Sequence, residues 1–175
     1  AYPVKLQKPL TGILKADVVT RFDMKSVEES NYQNIQNSGN ITVTDFNYES
    51  DEMAKQFKIK QAASAFTPAA IRLNKFDGET GKSDCQVTGN LDNFYGFIFK
   101  DQVLKGNFNL NSRQFEVADF METKTDTSAT KTTKEALKIP SFLNVTIAAK
   151  ATTVVYDNLN LKEVSGNLAI KDEAV

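Results

Sequence analysis

The sequence predicts a mainly β protein: a curved antiparallel sheet, or a sandwich or groove, assembled from repeated strand hairpins with few short helices. Three observations carry this. Apolar residues recur at every second position over most of the chain, the runs are separated by Gly, Asn, Asp or Ser, and helical spacing is scarce.

The first run, GILKADVVTRFDM (12–24), places Leu14, Ala16, Val18, Phe22 and Met24 on one face and Lys15, Asp17, Arg21 and Asp23 on the other. That is the pattern of a half-buried strand. GNITVTDF (39–46), QFKIKQAA (56–63), AIRLNKF (70–76), CQVTGNL (85–91), VLKGNFNL (103–110) and RQFEVADF (113–120) read as further strands. In FLNVTIAAKATTVVY (142–156), Leu143, Val145, Ile147, Ala149, Ala151 and Val155 alternate against Asn144, Thr146 and Lys150. Helical spacing is confined to 49–57 and 91–99. The Thr- and Lys-rich stretch 122–136, ETKTDTSATKTTKEA, has almost no large apolar side chain and is expected to be a long loop.

An internal echo joins the two ends. YDNLNLKEVSGNLAIKD (156–172) aligns with YQNIQNSGNITVTD (32–45) through Tyr-x-Asn-(Leu/Ile) and Ser-Gly-Asn-(Leu/Ile)-x-(Ile/Val)-x-Asp, and TGNLDN (88–93) is a weaker third copy. Each reads as a strand, a turn around Asn, and a strand opened by Gly.

At 175 residues the chain is one domain, 1–175, and its first residue, Ala1, with strand-like alternation persisting to the last residues, suggests a piece of something longer. The 21 basic and 22 acidic side chains nearly cancel, so charge offers no case for nucleic acid. No apolar run reaches membrane-spanning length. One cysteine and no histidine exclude an internal disulfide and the usual zinc sites, and no cofactor is implied.

The motif GETGKS (78–83) resembles the end of a phosphate-binding loop. Such a loop needs a glycine five residues before its Gly-Lys-Ser and a helix after it. Phe76 occupies that position, and Cys85, Val87, Gly89 and Leu91 continue a strand alternation. The stretch therefore predicts a β-hairpin turn, with Gly78 or Gly81 supplying positive φ. Lys82 and Ser83 cannot form a catalytic dyad, because neighbours on a strand point to opposite faces. Asp77, Glu79 and Asp84 could in principle pair as glycosidase carboxylates, but acidic residues around a turn are more often solvated. Without histidine the common triads vanish, and no catalytic residue is expected. Cys85 falls on an apolar face, as a small buried hydrophobe. Asn40 and Asn144 match a glycosylation pattern inside strands, where such matches arise by chance. The aromatic residues, as with Phe57 and Phe108, lie mostly in apolar alternation and read as core filling rather than base stacking.

Over residues 76–172 the order of features resembles the C-terminal region of AsmA-like proteins of Bacteroidetes type, related to the TamB and YhdP envelope proteins. Gly81, Ser83 and Asp84 lead to Gly89, Leu91 and Asn93; Leu104, Lys105, Gly106 and Ser112 follow; then come Ile139, Pro140, Tyr156, Asn158, Leu159, Leu161, Val164, Gly166 and Leu168. The resemblance implies a periplasmic protein involved in outer-membrane biogenesis, held to the inner membrane by an anchor outside this stretch. It implies phospholipid carried or bridged along an apolar β-groove, and no catalytic residues. The groove candidates are Val145, Ile147, Ala149, Leu168 and Ile170. The alternative is a β-sandwich binding or adhesion module of a cell-surface protein, with a filled core.

Overall fold

The computed structural model describes residues 11–31, 34–48, 55–67, 70–100, 102–121 and 143–171. The stretch 122–136, expected to be a loop, lies outside them, as do residues 49–54 of the weakly helical 49–57. Among the described residues eight strands form one open sheet in chain order: β1 (Thr11–Arg21), β2 (Gln36–Tyr48), β3 (Phe57–Phe66), β4 (Ala70–Thr80), β5 (Ser83–Asp92), β6 (Leu104–Glu116), β7 (Leu143–Tyr156) and β8 (Leu159–Ile170). Helix α1 (Met24–Glu28) joins β1 to β2, α2 (Phe94–Lys100) joins β5 to β6, and a 3-10 turn (Val117–Phe120) follows β6.

The mainly β prediction is correct, and one sheet rather than two stacked sheets carries it. Neighbours are antiparallel throughout except β6 and β7, which run parallel. A parallel pair needs a crossover of a dozen or more residues, and the 26 positions between Glu116 and Leu143 supply that length. The runs 103–110 and 113–120 are not separate strands. Asn111 and Ser112 look like turn residues, yet Asn111 pairs with Gln86 and Lys150, and Ser112 pairs with Ala151, so β6 continues unbroken to Glu116. Beyond it, Val117–Phe120 coils instead of extending.

GETGKS forms the expected hairpin: Thr80 pairs with Ser83 across a turn in which Gly81 has φ 55°. Gly78 lies within β4 and is not the turn glycine. The two Ser-Gly-Asn copies both lie in strands, but for different reasons. Gly39 adopts φ 140°, and a Cβ there would sit 2.0 Å from the Asp17 carbonyl oxygen, whereas nothing lies within 4 Å of one at Gly166. The later copy opens with a tight Asp157–Asn158 hairpin. The earlier one follows α1, whose first turn is capped by the Asp23 carboxylate accepting from the Ser26 amide at 2.7 Å.

Register irregularities fall at Gly12 of β1, Lys60 of β3 and Asn74 of β4, the last disturbing the β4–β5 pairing as well. In β2, Asp45 has φ 49°. Bulges of this kind bend a strand and increase its twist. These bend sites lie in neighbouring strands, so the sheet curves as a unit. Lys100 of α2 also donates to the Glu28 carbonyl of α1 at 3.0 Å. The two helices leave the sheet about four strand spacings apart, roughly 19 Å on a flat sheet, so this contact too requires curvature.

Candidate functional site: an uncovered apolar face and a buried carboxylate

Residues paired across strands share a face of the sheet. Following the register from β1 to β8 gives a first row of Val18, Gly39, Phe66, Ile71, Leu91, Gly106, Val145 and Ile170. A second row is Ala16, Ile41, Ser64, Leu73, Gly89, Phe108, Ile147 and Leu168. A third holds Leu14, Val43, Ala62 and Phe76 on the first four strands, and Val87, Leu110, Ala149 and Gly166 on the last four. The first two rows cross the whole sheet in unbroken register, the third is interrupted between β4 and β5, and none contains a charged residue. All five groove candidates named from the sequence lie in these rows: Val145 and Ile170 in the first, Ile147 and Leu168 in the second, Ala149 in the third.

The glycines in the rows make room for rings. A Cβ at Gly89 or Gly106 would collide with the Phe108 ring, and one at Gly78 with the rings of Phe57 and Phe76. The aromatic residues therefore spread over neighbouring backbone and present apolar surface rather than leaving gaps.

Alternation sends the other side chains to a polar face. One of its rows reads Gln61, Asp77, Gln86, Asn111, Lys150 and Ser165, and another Arg72, Asn90, Asn107, Thr146 and Ala169. A like-for-like pair shows how the faces differ: Ala148 on the polar side is exposed, while Ala149 beside it is half-buried. With one sheet and no second sheet among the described residues, this asymmetry means the sheet curls toward its apolar side. The curl does not close into a core. Val145 is 6% exposed, yet Leu168 is 42% and Leu14 65% exposed, and Ile59, Phe66, Leu73, Phe108, Leu110 and Ile147 are half-buried. The described residues bury only Val27, Ile35, Cys85 and Val145 among hydrophobes, where a closed sandwich would bury most of three rows.

The turn that resembled a phosphate loop does hold an anion, but an internal one. The Asp119 carboxylate, with no exposed side-chain surface, accepts from the amides of Lys82 and Ser83 at 2.8 and 2.9 Å and from the Ser83 hydroxyl at 2.7 Å. Lys55, just before β3, completes the set as an ion pair. Successive amides on a tight turn form an anion-binding concavity, and Asp119 fills it. Gly81 is required there, since a Cβ would sit 2.2 Å from an Asp119 oxygen. Burial pushes the Asp119 carboxyl up, but Lys55, the Ser83 hydroxyl and the Lys82 amide together hold it below the ordinary 3.8. The hydrogen bond to Asp119 raises Lys55 in turn, against the desolvation that lowers it. The sequence did not point to Asp119, which lies 36 residues beyond Ser83 inside an apolar run that reads as strand.

Of the acidic residues near this hairpin, Glu79 and Asp84 stand opposite each other in register across β4 and β5, and each is engaged by basic or amide partners of its own. Glu79 faces Lys58 and Lys60 at 3.7 and 2.5 Å. Asp84 accepts from the amides of Arg113 and Gln114 at 3.0 and 2.9 Å and from the Arg113 Nε at 3.2 Å. Asp77 lies opposite Gln61 and Gln86 on the polar face. Cys85 is buried, and burial pushes its thiol up to about 11, so little thiolate forms near neutrality. Among the described residues no group of three potential ligands converges to hold a metal ion, and no helix is long and apolar enough to cross a membrane.

Fold and site define a class: an open, curved, single-sheet β protein with one apolar face running edge to edge. No family model, curated protein or solved structure matches the chain.

Proposed function

We propose that this chain is a non-enzymatic module of a periplasmic AsmA-like envelope protein, which binds or bridges phospholipid by laying acyl chains on the apolar face. The observation that carries the reading is the three uncharged rows, two of them crossing all eight strands in unbroken register, half-buried at the centre and uncovered among the described residues. An apolar surface of this extent calls for an occupant. An acyl chain is a fitting one, because it needs no hydrogen bonds from the wall and each methylene taken out of water contributes about 0.8 kcal/mol. The order of turn motifs over 76–172 supports the same assignment, with the membrane anchor placed outside this stretch and the body of the protein in the envelope.

The test is native mass spectrometry with lipid extraction on the purified protein. Phospholipid is expected to co-purify, and Ile147→Asp with Ile170→Asp is expected to abolish it while circular dichroism retains the β signature. A lipid-free protein that unfolds on the same substitutions would show that the rows form an ordinary dry core and would end the lipid reading.

A further inference from the structure

The polar side of the sheet holds a feature that the lipid reading does not use. A cavity of about 420 Å³ lies across β5 to β8, its polar lining including Asp84, Gln86, Asn111, Arg113, Lys150 and Glu163. That volume admits a phosphate group with room for a small molecule that carries it. We propose that this cavity binds the oxyanion of a small polar molecule, a phosphate group above all, with Lys150 and Arg113 as its charged donors.

The case rests on which groups remain to be satisfied. Asp84 is committed, with one oxygen accepting the amides of Arg113 and Gln114 and the other the Arg113 Nε. That bond uses one edge of the guanidinium, and its two terminal nitrogens stay available as a fork. The Arg113 side chain is 82% exposed, which leaves the fork open to solvent. Lys150 stands opposite Asn111 in register, two positions from Arg113, so the two cations lie on a diagonal of the parallel β6–β7 pair, about 8 Å apart by strand spacing and rise. Their long side chains can converge on one oxyanion from that spacing. Among the described residues no ion pair joins Lys150 to Glu163.

Neutral donors reinforce the bias. The amides of Gln86 and Asn111 lie in the same row as Lys150, on β5 and β6. Aromatic residues are absent from the lining, which disfavours a base or a stacked sugar ring. One flexible cation and one planar fork, with Asp84 already committed, is the chemistry that recognises a phosphate, and the Glu163 carboxylate of the lining is the one charge set against it.

The test is a titration of inorganic phosphate into the ¹⁵N-labelled protein at constant ionic strength, followed by amide chemical shifts. Saturable shifts are expected at Asn111–Arg113 and Lys150–Thr152. Lys150→Gln should weaken binding about tenfold, the effect of one lost charge-assisted hydrogen bond. Lys105→Gln, a lysine of β6 outside the cavity, should leave it unchanged. Shifts that never saturate, or that are equal in Lys150→Gln and the parent, would overturn the proposal. Glycerol 3-phosphate titrated alongside separates the sources: tighter binding than phosphate marks a phosphate monoester such as a lipid headgroup, and equal binding marks the free ion. The result is independent of acyl binding on the opposite face.

Discussion

At the rim where β4 turns into β5, donors from two separated stretches of chain converge on the Asp119 carboxylate, whereas at the opposite rim α1 and α2 meet through the exposed Lys100 donating to the Glu28 carbonyl. Both contacts tie together elements far apart in sequence. The difference lies in burial. A carboxylate removed from water must find its partners inside the protein, so losing any of them leaves the rest uncompensated. An exposed lysine exchanges its carbonyl for water at almost no cost. The carboxylate contact is locked, whereas the Lys100 contact can be given up, leaving the helical rim to its buried Val27 and Ile35.

Asp119→Ala should break this contrast most severely. It strands the buried Ser83 amide and the part-buried Lys82 amide and should cost about 3–5 kcal/mol, read as a lower midpoint in urea unfolding with the slope unchanged. The charge contribution has a signed pH dependence. Because the Asp119 carboxyl lies below 3.8 when folded, the unfolded chain binds the proton more readily. The stabilisation is therefore fully present above the ordinary carboxylate value and is lost as pH falls through the folded one. Asp119→Asn should flatten that acid limb relative to the parent, and an unchanged limb would assign it to Asp84 and Glu79, which are also lowered. Gly81→Ala follows in size. It forces a side chain onto φ 55° and into the Asp119 carboxylate, for roughly 1–3 kcal/mol. Lys100→Ala should produce no measurable change in unfolding midpoint, and a clear loss would show that the helical rim is locked as well.

Much of the apolar face was legible in the sequence because strand periodicity is local. Val145, Ile147 and Ala149 declare a shared face through spacing alone, and Leu168 and Ile170 do the same. The hairpin at Gly81 was legible for a similar reason, since a missing upstream glycine and a continuing strand pattern are both read within ten residues. Asp119 was not. Its partners lie 36 and 64 residues away, and a carboxylate inside VADF carries no local sign of what it will accept. The length of β6 was misread because Asn111, Ser112 and Arg113 have turn-forming character, and only their partners on β5 and β7 make extension the better state.

By itself, then, the sequence determined that the chain forms strands with one apolar and one polar face, where the tight turn falls, and that histidine chemistry is excluded. Tertiary structure alone decided that eight strands align into a single sheet, that β6 and β7 run parallel, that the apolar rows come into register from edge to edge, and that the phosphate-like turn binds the protein's own carboxylate. The physical reason is one of range. Alternation and turn preference act between residues a few positions apart, whereas register, curvature and the neutralisation of a buried charge depend on which distant strands come to lie side by side.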